Sequence, residues 1–228
     1  STLFPYTTLF RSSINEAMYG AGIYNDGKAT ISGTTFKYNV AGRIETVPGD
    51  NDEVTYVKVF GDGGGIYNKG EMSVKSSRFY YNKADRGGGI FNASDNDGKE
   101  VLIQKNDFLL NKANYGAGAY IESGKISFVN NNFGEYGTSP SNEATYGGAI
   151  YNESGNVSIT SSVFCNNKAV MGGDIYNKGD LRITKATFGI VPKASSYIFA
   201  RIIPVYTVSS GSTYSVDDQE YSVWPVPI

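Results

Sequence analysis

Asp62–Asn82, DGGGIYNKGEMSVKSSRFYYN, is the stretch whose reading decides the fold. Gly63–Gly65 open a short segment that ends at Ile66, Met72 and Val74 stand two apart, and Phe79 and Asn82 close the unit. A separation of two places both apolar side chains on one face of a strand, and the flanking Gly and Asn mark turns. The same order recurs in Tyr19–Asn39, Arg86–Asn111, Tyr115–Tyr136, Tyr146–Asn167 and Met171–Val191. The closing phenylalanines are Phe36, Phe79, Phe108, Phe133, Phe164 and Phe188, with gaps of 43, 29, 25, 31 and 24 residues. The basic unit is therefore about 24 residues, lengthened by insertions, which is a solenoid period.

Spacings inside the unit do not vary. Five residues before each Phe stands Ile31, Val74, Ile103, Phe128, Ile159 or Ile183, and two before that Ala29, Met72, Val101, Ile126, Val157 or Leu181. A second short strand ends at Ile23, Ile66, Ile90, Ala119, Ile150 or Ile175. Strands of three to five residues cannot bury a core alone, but stacked in register at ~4.8 Å they form continuous apolar columns. Recurrent mid-unit Gly and the lack of any sustained 3.6-residue period exclude a helical solenoid, and the strands are too few and short for a propeller. The sequence thus predicts an all-β, right-handed parallel β-helix of six or seven coils, the handedness following from parallel crossovers.

Two polar columns fit this architecture. Asn39, Asn82, Asn111 and Asn167 lie three residues after the repeat Phe, and Asn25, Asn68, Asn92, Asn152 and Asn177 lie two after the repeat Ile. Stacked amides can bond along the axis, so both columns are read as structural ladders. A third column is aromatic: Tyr24, Tyr67, Phe91, Tyr120, Tyr151 and Tyr176 each follow the repeat Ile. If Ile points inward, alternation turns these rings outward as a candidate ligand-binding stripe for sugars or a partner surface; rings packed together to seal a corner are the competing reading.

Composition excludes several chemistries. The 228 residues carry a formal net charge of −2 without a basic run, which argues against nucleic acid as a partner. No His is present, which removes Ser-His-Asp and Cys-His catalysis and His-ligated metals, and the single Cys165 excludes an internal disulfide. No catalytic residue, metal site or cofactor is assigned. No run of 18 apolar residues could span a membrane as a helix.

Insertions fall at Ala41–Lys58, Ala93–Gly98 and Gly134–Thr145, where loops should leave the wall. Asp50, Asp52, Glu53, Asp95 and Asp97 in them are read as solvated turn acids, since the spacing of a calcium loop is missing. Three regions are expected: residues 1–12, set aside because Thr2–Ser12 (TLFPYTTLFRS) reads as a translated sequencing adapter; the repeats at 13–191; and an irregular last coil or cap with a tail at 192–228. The natural N-terminus and any signal peptide are expected to lie outside this sequence.

The alternating motifs GAGI, GGGI, GAGA, GGAI and GGDI (beginning at Gly20, Gly63, Gly87, Gly116, Gly147 and Gly172) and F-x-x-N resemble the repeat of the polymorphic outer-membrane protein family. The chain is also similar to adhesin-like β-helix surface proteins of pectin-lyase-like architecture. The resemblance covers about residues 19–191, with Tyr136 and Val191 replacing Asn in two coils. It implies a non-catalytic, monomeric passenger module at the cell surface or outer membrane. The implied partners are host-cell or matrix glycans or surface proteins. Two alternatives stand beside it. A β-helix polysaccharide lyase or glycosidase would have to use Asp174 and Arg182, since no Asp pair sits on a strand. A structural stalk would be a rod of about 30 Å over six coils.

Overall fold

The computed structural model describes residues 11–48, 54–94, 99–135 and 141–189. Their strands form three parallel sheets that run the length of the solenoid. The Phe sheet contains seven strands: Arg11–Ser13, Thr35–Lys37, Arg78–Tyr80, Asp107–Leu109, Asn132–Phe133, Val163–Phe164 and Thr187–Phe188. The Ile sheet has six: Ile23–Asn25, Ile66–Asn68, Ile90–Ala93, Ala119–Ser123, Ile150–Asn152 and Ile175–Asn177. The central sheet has six five-residue strands, Lys28–Ser32, Glu71–Lys75, Glu100–Gln104, Lys125–Val129, Asn156–Thr160 and Asp180–Thr184.

Register follows the repeat in every sheet, pairing Phe79 with both Phe36 and Phe108, and Val101 with both Met72 and Ile126. A one-residue slip would exchange the inward and outward sets, so the buried face fixes the pairing. The core is the stack of Phe, Ile and Val columns, and its rings lie parallel: Phe36, Phe79, Phe108, Phe133, Phe164 and Phe188 are 4.6–4.9 Å apart.

Left-handed residues recur at three points of the coil, whereas the step from the Ile strand to the central strand has one only at Gly124 among the described residues. The first glycine of the triplet occupies one of the three, with φ of 69° at Gly63 and 67° at Gly87. A Cβ on Gly63 would lie 2.5 Å from the Ile66 carbonyl oxygen, so only glycine fits. The other corners use Ser76, Lys105, Asn130, Ser161 and Lys185, and Ile14, Tyr38, Tyr81, Leu110 and Asn166. The third glycine serves packing: a Cβ on Gly65 would meet Phe79 Cδ1 at 2.8 Å, so the ring column lies flat on this backbone.

Two expectations change here. Arg11 and Ser12, set aside as outside the fold, pair in register with Thr35 and Phe36. Pairing requires only extended backbone; Ser12 stands at the Phe position without a ring, so the aromatic stack begins at Phe36. The first insertion is not a loop throughout: Val40–Pro48 and Val54–Phe60 form an antiparallel two-stranded arm. Residues 192–228 and the acids Asp50, Asp52, Glu53, Asp95 and Asp97 lie outside the described residues.

Candidate functional site

The aromatic column is continuous, with Tyr24, Tyr67, Phe91, Tyr120, Tyr151 and Tyr176 stacked at 4.7–5.3 Å. It is not a free surface. Tyr67, Phe91, Tyr120 and Tyr151 are buried as a second core, and only Tyr24 at the first rung is half exposed. The expectation that alternation turns the rings to solvent is therefore corrected: they leave the main core, but the preceding turn folds over them. That cover is the column of parallel bridges Tyr19, Asp62, Arg86, Tyr115, Tyr146 and Met171. Tyr19 meets Tyr67 edge-on at 5.4 Å, Tyr115 meets Tyr151 at 5.4 Å, and Tyr146 meets Tyr176 at 5.6 Å. The Arg86 guanidinium lies 4.8 Å from the Phe91 ring centroid and 5.3 Å from that of Tyr120. Two hydrogen bonds to buried Asp62, at 2.8 and 2.7 Å, and one to Glu122 at 3.0 Å hold it there. Each covering residue stands five before its ring, a constant spacing visible in the sequence.

Burial pushes the phenols of Tyr67 and Tyr151 up to about 12, with Asp62 adding to the effect at Tyr67. A phenol whose folded pKa is raised stabilises the fold below the unfolded value near 10 and loses that contribution as pH rises toward 12. Stability is therefore expected to fall between pH 10 and about 12. In the Tyr67→Phe/Tyr151→Phe double variant the fall should be shallower and the last phase of phenolate absorbance should shrink. Amplitude lost near pH 10 instead of at the high-pH end would show that the two hydroxyls ionise freely.

Both asparagine columns form ladders. In the first, Asn25 Nδ2 donates to Asn68 Oδ1 at 2.6 Å, Asn68 to Asn92 at 2.8 Å, and Asn152 to Asn177 at 2.8 Å. Ile121 occupies this position in the fourth coil, where the Ser94 hydroxyl and the Ser123 carbonyl take the Asn92 amide at 3.0 and 2.9 Å. The second ladder is unbroken and longer than the sequence indicated. It runs Asn15, Asn39, Asn82, Asn111, Asn142 and Asn167, with amide-to-oxygen distances of 2.8–3.2 Å. Asn142 replaces the absent Asn of the fourth coil because the insertion delays it until nine residues after Phe133. Counting backward exposes it: Asn15, Asn82, Asn111, Asn142 and Asn167 each stand four before the covering residue.

A third ladder went unrecognised because its members differ. Thr34, Ser77, Asn106, Asn131 and Ser162 stand two before Phe36, Phe79, Phe108, Phe133 and Phe164, and each of the first four gives its backbone N–H to the side-chain oxygen of the next, as in Ser77 N–H to Asn106 Oδ1 at 2.8 Å. All five are buried. These columns hold coils together and leave no free donor for a ligand: among the described residues every buried side-chain N and O atom is satisfied.

The two residues of the enzyme alternative do not converge. Asp174 accepts from Asn167 Nδ2 at 2.8 Å, ending the second ladder, and burial holds its carboxyl above the ordinary range. Arg182 lies exposed on the central sheet beside Ser158. Cys165 is buried and its thiol is pushed up by desolvation and by Asp174.

A separate pair of stacked rings is exposed at a corner. Tyr38 and Tyr81, on adjacent rungs, stack at 4.9 Å with 46% and 43% of their surfaces free. Lys37 Nζ lies 4.7 Å from the Tyr38 ring centroid and 5.8 Å from that of Tyr81. The arm leaves the same wall after Ala41.

The family description "right handed beta helix region" matches residues 5–133. The chain belongs to this family. The match begins inside the segment set aside above as a translated adapter. No curated protein and no solved structure matches the chain.

Proposed function

We propose that this β-helix is a non-catalytic module displayed at or secreted to the cell exterior, where its exposed corner adheres to glycans or surface proteins. The observation that carries this reading is the Tyr38–Tyr81 pair. Both residues sit in the left-handed region, with φ of 58° and 55°, where a bulky side chain is unfavourable by roughly 1 kcal/mol. The corner itself does not require a ring, since Asn166 turns it in a later coil with φ of 55°. Two strained, exposed aromatics beside an ammonium group are therefore explained better by contact with a partner than by the turn. Ring edges, phenolic hydroxyls and Lys37 together suit a polar, partly apolar ligand such as a saccharide or a protein surface.

The test is the double variant Tyr38→Asn/Tyr81→Asn, because Asn tolerates the left-handed backbone. Binding to glycan arrays, matrix proteins and cells is expected to fall at least about tenfold while the urea midpoint stays the same or rises. Full retention of binding with an intact fold would remove the pair from the adhesive surface.

A further inference from the structure

The arm has an unfilled strand edge. Its register runs from Gly42 opposite Phe60 to Pro48 opposite Val54, and its base is anchored by pairing of Val40–Ala41 with Glu16–Ala17. Lys58 Nζ reaches Glu16 at 2.8 Å, and Lys83 Nζ lies 4.3 Å from the Phe60 ring centroid. Beyond this base the arm is one ribbon thick. Ile44 and Tyr56 are 64% and 73% exposed on one face, and Val47 and Val57 are 45% and 42% exposed on the other. Isolated two-stranded ribbons are marginal, and an edge strand rich in β-branched residues is a template for further pairing.

The direction of the free hydrogen-bonding groups can be read from the base. Gly61 N–H donates to the Ala41 carbonyl at 3.0 Å, in register with the arm. Alternation then turns the amides of Val57 and Val59 toward the partner strand, and those of Tyr56, Lys58 and Phe60 away from it. Among the described residues, Val54–Phe60 has one strand neighbour.

We infer that this edge pairs with the same edge of a second copy, antiparallel about a two-fold axis at Val57. This register matches outward amides with outward carbonyls and places Tyr56 opposite Lys58 of the partner, twice. All seven residues of the strand are then paired. Centring on Lys58 would oppose two like charges, and centring on Tyr56 would leave Val59 and Phe60 without partners. The chosen register sets each ammonium beside a phenol ring, a favourable contact, and the interface is isologous and closed. The pairing departs from the expected single chain and is independent of whether the Tyr38–Tyr81 corner binds a partner. An interface of this length is small, so dimers are expected on the order of 10–100 µM.

Sedimentation of the full chain from about 1 to 300 µM should show a monomer–dimer equilibrium. Tyr56→Lys converts both cross-pairs into like-charge pairs and should weaken it at least tenfold, while circular dichroism shows the coil intact. Val57→Cys should oxidise to a covalent dimer because the two thiols face each other at the axis, and Tyr56→Cys should not. Buried Cys165 does not compete. A monomer at every concentration, dimerisation unaffected by Tyr56→Lys, or equal cross-linking of the two cysteine variants would each overturn the proposal.

Discussion

Phe108→Ala is expected to lower stability by about 3–5 kcal/mol, a large part of the total for a chain of this kind. The ring is fully buried and stacked between Phe79 at 4.7 Å and Phe133 at 4.6 Å. Its loss leaves a gap in the middle of a column whose neighbours are fixed by backbone pairing and cannot collapse to fill it. A solenoid is stabilised by contacts between nearest coils, so a defect at a central rung should also uncouple the two halves. A urea titration should therefore show a lower midpoint and a shallower slope. Phe188→Ala, at a half-buried position in the last described rung, should cost clearly less. Equal midpoints for the two variants would mean that ring stacking is not the source of the stability.

The second large effect is expected at Asn111. Its Oδ1 accepts from both the backbone and the side chain of Asn82 at 3.0 Å, and its Nδ2 donates to the Phe79 carbonyl at 2.8 Å and to Asn142 Oδ1 at 3.1 Å. In Asn111→Ala the Asn82 donors and the Phe79 acceptor lose these partners inside the wall. Each orphaned group costs about 1–3 kcal/mol, so the total should exceed about 3 kcal/mol. Asn132→Ala serves as the comparison, since Asn132 is exposed and bonds only to Asp107; a change within about 0.5 kcal/mol is expected there. Similar midpoints for the two variants would show that water replaces the ladder without loss.

The division between what was and was not legible in the sequence follows from physical chemistry. The Phe and Ile columns were readable because inward positions admit few residue types at constant spacing, and one coil sets the register of the next. The burial of Tyr67, Phe91, Tyr120 and Tyr151 was not, because alternation along a strand says which side a ring leaves by, not what lies beyond it. The cover comes from Arg86, Tyr115 and their column, whose side chains differ in chemistry although their position is fixed. Asn142 was hidden by chain length between two corners, and the Thr34–Ser162 ladder by the fact that hydroxyl and amide oxygens accept the same backbone donor. The exposed Tyr38–Tyr81 pair was missed for another reason: each residue lies at a corner, where side-chain direction depends on φ rather than on strand period.

The second asparagine ladder also gives the molecule a direction. From Asn39 to Asn142 each side-chain amide donates one hydrogen to the Asn oxygen of the following coil and the other to a backbone carbonyl of the preceding one, while each side-chain oxygen accepts from the preceding coil. A coil is thus a link with unlike ends, and any link fits behind any other provided both face the same way. Duplication or loss of one coil-length segment in the gene would leave the second ladder complete, so chain length can change while the cross-section stays fixed. A coil added in reverse would meet donor with donor. The repeat is in this sense a unit of inheritance as well as of packing, and its polarity decides which rearrangements survive.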